Sequence, residues 1–160
     1  MALDHLHGRG LVHRDVKPEN VLLFDQECRR VKLSDFGLAR RAGLRVWPVP
    51  GPGDPYAAPE LGGEGAGREG TLVAQAEDAW AFGVLLYGLL TGAFPWESAG
   101  PADPAYRAYA RWNRAGAPAG ACPPQWRPLA PPGSRMLRGL LCPWPERRVG
   151  VAEVMGYLKK

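Results

Sequence analysis

The sequence predicts a mainly α-helical domain that carries one small β-hairpin. Two stretches carry that reading. Gln75 to Thr91 is apolar on nearly every side and is closed by Gly92, the pattern of a helix at the centre of a domain. Val21–Phe24 and Val31–Ser34 are short apolar runs separated by the polar Asp25–Arg30, a hairpin signature. The 21 glycines and 17 prolines gather in a few places, so long loops join these elements.

The remaining elements follow in chain order. Met1–His7 reads as the last turns of a helix, stopped by Gly8 and Gly10, and Leu11-Val12 leads into the segment that begins at His13. Residues 41–57 are rich in Gly and Pro with no helical period, and read as a loop anchored at both ends. Residues 62–70 are too glycine-rich for regular structure and read as a flexible surface insertion. Ala105–Arg114 has helical character, Ala115–Pro132 is a second proline-rich loop, and Ser134–Leu141 and Val151–Leu158 read as two short closing helices. Pro143, Pro145 and Gly150 separate that last pair. No internal repeat is present.

Length and composition restrict the function classes. A chain of 160 residues with 46% hydrophobic and 22% charged residues can bury one core. Net charge is +4 without a concentrated Lys/Arg stripe, which points to a solvated basic surface and against nucleic acid as a partner. Cys28, Cys122 and Cys142 form no C-x-x-C, so neither a disulfide framework nor a zinc site is expected, and a reduced, cytoplasmic setting fits. His5, His7 and His13 lack the pattern of metal ligands. The most apolar run, Ala79–Leu90, is shorter than the roughly 20 residues needed to cross a bilayer, so no membrane association is expected.

Chemistry is concentrated in His13-Arg14-Asp15-Val16-Lys17-Pro18-Glu19-Asn20, followed by Asp35-Phe36-Gly37. Asp15 and Asn20 lie five apart with a proline between them, so the loop cannot continue as a helix and both side chains can converge. Val21-Leu22-Leu23 would fix that loop as the first strand of the hairpin. Phosphoryl transfer asks little covalent help of a protein. It needs a group to orient the attacking hydroxyl and ligands for Mg²⁺. Asp15 suits the first task, Asn20 and Asp35 the second, and Lys17 can offset charge on the moving phosphoryl group. Gly37 gives the turn after Asp35 its backbone freedom, and Phe36 is expected to pack under His13.

These strings resemble the C-terminal lobe of a eukaryotic protein kinase, with Lys17 in the serine/threonine-specific pattern. The resemblance covers essentially the whole chain, and residues 22–33 with Phe94-Pro95-Trp96-Glu97 are most similar to the SH3-binding-domain kinase family. It implies a partial kinase domain over 1–160: catalytic loop 13–20, activation segment 35–60 and central helix at about 76–91, in an α+β lobe without an N-terminal lobe. It further implies ATP and Mg²⁺ as cosubstrate and cofactor, a protein substrate, and Leu22 beneath the adenine, propped by Leu85 and Leu89. By the family's pattern Glu60, in Ala58-Pro59-Glu60, pairs with Arg148. Asp78 then accepts hydrogen bonds from backbone N–H groups near His13 and Arg14.

Three departures qualify the expected activity. No Gly-x-Gly-x-x-Gly loop or Val-Ala-x-Lys strand precedes His13, so this chain alone is expected to be inactive and not to be stabilised by Mg-ATP. Between Asp35 and Glu60 there is no Ser or Thr, so the family's switch, a phosphate docked on basic groups such as Arg14, is unavailable. The substrate-docking loop reads Pro52-Gly53-Asp54-Pro55-Tyr56 and lacks the family's Gly-Thr, whose Thr bonds the catalytic Asp and Lys. The competing expectation is a non-catalytic, pseudokinase-like interaction module, or a ligand of SH3-domain proteins through Pro52…Pro55, Pro101…Pro104 or Pro128…Pro131. Glu19 is a candidate for selecting basic residues in a substrate.

Overall fold

The computed structural model describes residues 2–47, 53–62, 70–114 and 122–158. The predicted insertion at 62–70 falls mostly outside these residues, as do Pro52 and part of the second proline-rich loop. Helix α1 (Ala2–His7) ends where the Gly8 N–H bonds to the Asp4 carbonyl and Gly10 takes a left-handed φ of 69°. Strand β1 (Leu11–Val12) follows. A single 3₁₀ turn, Pro18–Asn20, then begins with the proline and ends the catalytic loop.

The predicted hairpin is formed by β2 (Val21–Leu23) and β3 (Val31–Leu33), antiparallel with Val21 opposite Leu33 and Leu23 opposite Val31. Its turn closes through the Phe24 N–H and the Arg30 carbonyl, with the Asp25 carboxylate accepting the Arg29 N–H. The stretch from residue 41, read as irregular, proves partly ordered. β4 (Arg40–Arg41) pairs with β1, and β5 (Arg45–Val46) pairs with β6 (Thr71–Leu72), both antiparallel. Each partner comes from far along the chain, a signal that local composition does not carry.

Helix α2 (Gln75–Thr91) is the central element, capped at its C-terminus by Gly92 at φ 74°. Trp80, Val84 and Tyr87 are buried, but its last turn is not: Leu90 is exposed, and Leu89 is 72% exposed. Leu89 is therefore at the surface and is not the packed prop expected beneath Leu22. Helices α3 (Pro104–Asn113), α4 (Pro131–Leu140) and α5 (Val154–Leu158) complete the lobe, α4 lying against α2. Their packing surrounds an aromatic group in which Trp96 contacts Trp80, Tyr106, Tyr109 and Trp126.

The proline motifs meet a structural obstacle. Pro104 opens α3 and Pro131 opens α4, where the fixed φ and missing N–H favour a helix start. Neither residue belongs to an extended polyproline stretch of the kind an SH3 groove reads.

Candidate active site

The catalytic loop is hung from the first turn of α2. Both carboxylate oxygens of Asp78, which is fully buried, accept backbone hydrogen bonds: Oδ2 from the His13 N–H and Oδ1 from the Arg14 N–H, each at 2.8 Å. The second bond is made while Arg14 holds a left-handed φ of 69°, a conformation a non-glycine residue keeps only when its surroundings enforce it. The Nε2 of His7, at the end of α1, also lies 2.8 Å from Asp78 Oδ2. Asp78 thus accepts both of the expected backbone N–H groups, with His7 as a partner that sequence reading missed.

Beyond that anchor the loop folds back on itself. Asn20, buried, donates its side-chain amide to both the backbone carbonyl and Oδ2 of Asp15, each at 2.8 Å. Lys17 Nζ lies 2.9 Å from the other carboxylate oxygen of Asp15, and this hydrogen bond raises the lysine pKa against the opposing effect of burial. Asp15, Lys17 and Asn20 therefore form one cluster. The Asn20 carbonyl accepts the Ser34 N–H at 2.9 Å, which ties the catalytic loop to the residue before Asp35.

Asp35 has a left-handed φ of 58°, and its Oδ1 accepts the Gly37 N–H at 3.1 Å. The His13 ring nitrogen Nε2 lies 3.0 Å from the Ser34 carbonyl, and the ring meets Phe36 edge-on with centroids 5.0 Å apart. His13 and Phe36 thus hold the turn that presents Asp35. Leu22 stands on β2, 45% exposed.

The donor set suits a hard divalent cation. Asn20 commits its NH₂ to Asp15, which leaves the amide oxygen for a ligand, and Asp35 adds carboxylate oxygen. Oxygen donors few enough to leave room for water and phosphate are what Mg²⁺ takes.

A cleft of about 230 Å³ opens beside Asp15 and Lys17, and Asp54, Tyr56 and Glu77 are among the residues lining it. Asp54 stands in the loop that lacks the family's Gly-Thr, and its Oδ1 accepts the Tyr56 N–H at 2.9 Å. Burial raises the Tyr56 hydroxyl pKa, and the nearby charges of Glu19 and Asp54 add to it, so the phenol stays neutral.

Glu60 and Arg148 lock the far end of the activation segment, as the family's pattern implied. Nη1 and Nη2 of Arg148 donate to Oε1 and Oε2 of Glu60 at 2.6 and 2.8 Å. The guanidinium also donates to the Cys142 and Ala76 carbonyls and lies 4.8 Å from the Trp80 ring centroid. A further pair was not foreseen: Arg14 Nε donates to Glu77 Oε2 at 3.2 Å. Its faint sequence signal is a glutamate three residues after Ala74, the second half of a capping box, beside Asp78.

Residues 1–157 match the model of the protein kinase domain. The chain belongs to the protein kinase family. Mouse serine/threonine-protein kinase SBK1 is 52% identical over 99% of this chain and 37% of its own length. Human serine/threonine-protein kinase SBK2 is 47% identical over 98% of this chain and 45% of its own length. The Drosophila serine/threonine-protein kinase meng-po is 36% identical over 99% of this chain. Membership is thus in the serine/threonine branch, and the narrower resemblance read from residues 22–33 and 94–97 holds. The chain spans about two fifths of the length of the SBK relatives it matches.

Proposed function

We propose that this chain supplies the catalytic loop and metal-binding end of an ATP-dependent kinase that phosphorylates serine and threonine hydroxyls of proteins. The observation that carries the reading is the cluster of Asp15, Lys17 and Asn20, joined through Ser34 to the turn that presents Asp35. Asp15 orients the substrate hydroxyl and accepts its proton, and Lys17, paired with Asp15 but 36% exposed in its side chain, can turn a further N–H to a phosphoryl oxygen while remaining charged. Asn20 and Asp35 would hold Mg²⁺, which when bound offsets charge between the phosphates. Leu22 offers an apolar surface to the adenine ring.

Two measurements test this. In ¹⁵N-labelled chain, Mn²⁺ added as a paramagnetic stand-in for Mg²⁺ should broaden the Asn20 and Asp35 resonances first; uniform broadening would dismiss the metal site. In a protein carrying a complete kinase domain around these residues, Asp15→Ala should lower kcat by about 10²–10⁴ in a radiolabelled phosphate-transfer assay. An unchanged rate would remove Asp15 from its role.

The SH3-ligand reading would need Pro104 and Pro131 to leave the helices they open. The pseudokinase-like reading is separated by the same transfer assay.

A further inference from the structure

Arg14 has its backbone N–H on Asp78 and its side chain, 9% exposed, on Glu77, so two neighbouring acids at the start of α2 hold one residue of the catalytic loop. A buried guanidinium needs an anion, and the activation segment has no Ser or Thr from which a phosphate could supply one. Glu77 is itself buried and divides its carboxylate. Oε1 accepts the Ala74 N–H at 2.8 Å, and Oε2 accepts from Arg14. Ala74 directly follows the stretch that ties down the activation segment, where the Gly43 N–H donates to the Val73 carbonyl and the Val73 N–H to the Leu44 carbonyl, each at 2.8 Å, beside the β5–β6 pair.

Trp47 closes the same strap. It covers Gly70, where an added Cβ would fall 2.6 Å from the indole. One carboxylate therefore joins the catalytic loop to the start of the central helix, one residue past the strap that holds the activation segment.

We propose that Glu77 is a positioning residue for the catalytic loop, a built-in carboxylate that fixes Arg14 and keeps its guanidinium from external phosphate. The proposal deepens the kinase reading and rests on it for the loop's catalytic meaning, but the contact itself can be tested separately. Glu77→Gln is the informative variant. A glutamine amide can accept the Ala74 N–H through its oxygen, but it then turns an NH₂ donor toward the Arg14 Nε–H donor, so it cannot serve both partners.

The experiment follows the Arg14 Nε–H resonance in ¹⁵N-labelled chain, with inorganic phosphate as the probe. In the unaltered chain this proton should exchange slowly and stay indifferent to millimolar phosphate. In Glu77→Gln it should exchange at least about tenfold faster and shift saturably with phosphate. Equal phosphate response in both chains, or unchanged exchange in the variant, would overturn the proposal. Should Glu77→Gln fail to fold, Arg14→Gln takes its place. It should speed exchange of the Asn20 amide while the Trp80 and Val84 amides keep their protection; an unmoved Asn20 amide overturns the proposal equally. Mn²⁺ broadening at Asn20 and Asp35 reads the metal site independently, so its failure would sink the kinase reading and leave the Arg14 result standing.

Discussion

Arg148 grips Glu60 through both terminal nitrogens, at 2.6 and 2.8 Å, across 88 positions of sequence. The guanidinium side chain is fully buried, while the Glu60 carboxylate is 26% exposed. That asymmetry decides which partner matters more.

Arg148→Ala should destabilise the chain by about 3–5 kcal/mol in urea unfolding, because it strands a carboxylate and two carbonyls and empties the space above Trp80. Glu60→Gln should cost less, about 1–3 kcal/mol, since the arginine retains its two carbonyl partners and an amide oxygen can still accept one of its N–H groups. The reverse ranking would show that the pair is not the lock described.

Asp78→Ala would remove the acceptor for the His13 and Arg14 amides at once. A loss of about 2–5 kcal/mol is expected, as two donors are orphaned beneath the surface. Hydrogen exchange should show it first at His13 and Arg14. Slow exchange persisting there would mean that other contacts hold the loop.

Asp103 caps the N-terminus of α3 and accepts the Tyr106, Glu97 and Ser98 N–H groups at 3.0, 2.9 and 3.2 Å. Burial pushes its carboxyl pKa up, but the backbone N–H groups outweigh that and leave it lowered. A lowered folded value means the unfolded chain binds the proton more readily. The stabilisation is thus complete above the ordinary carboxylate pKa, about 3.9, and is lost as pH falls through the lowered one. Asp103→Ala should cost about 1–2 kcal/mol at neutral pH and progressively less in acid. A difference that does not change with pH would refute the assignment.

Gly83→Ala sets two effects against each other. Alanine favours a helix over glycine by about 1 kcal/mol. Here, however, the new Cβ would fall 2.9 Å from Leu141 Cγ and Cδ2 and 3.0 Å from Leu140 Cβ, and overpacking costs about 1–3 kcal/mol. Packing should win and lower the thermal midpoint. Gly88→Ala, on the same helix but meeting nothing closer than 3.9 Å, should raise it.

Much of the site was legible because its residues are consecutive. Asp15, Lys17, Asn20 and Asp35 sit in two short strings, and the chemistry of those strings carries the roles proposed for them. The hairpin and α2 were legible for a similar reason, since each is a periodic run with punctuation at its ends. What stayed hidden depends on distance. The β5–β6 strap joins residues with little individual strand signal, and the Glu77–Arg14 contact spans 63 positions. Leu89 was misplaced because an apolar residue in an apolar helix looks interior, and only neighbouring elements decide whether the last turn is covered.

The tryptophans give the fold its own optical reporter. Trp80, Trp96, Trp112 and Trp126 are buried in chains of ring contacts 5.4–6.5 Å long, whereas Trp47 is 56% exposed on the strap. Light absorbed by the inner four will hop between rings before emission and emerge depolarised. Iodide, shut out of that interior, will extinguish Trp47 and, to a lesser degree, the half-buried Trp144, so quenching reports on the surface tryptophans while anisotropy reports on the core.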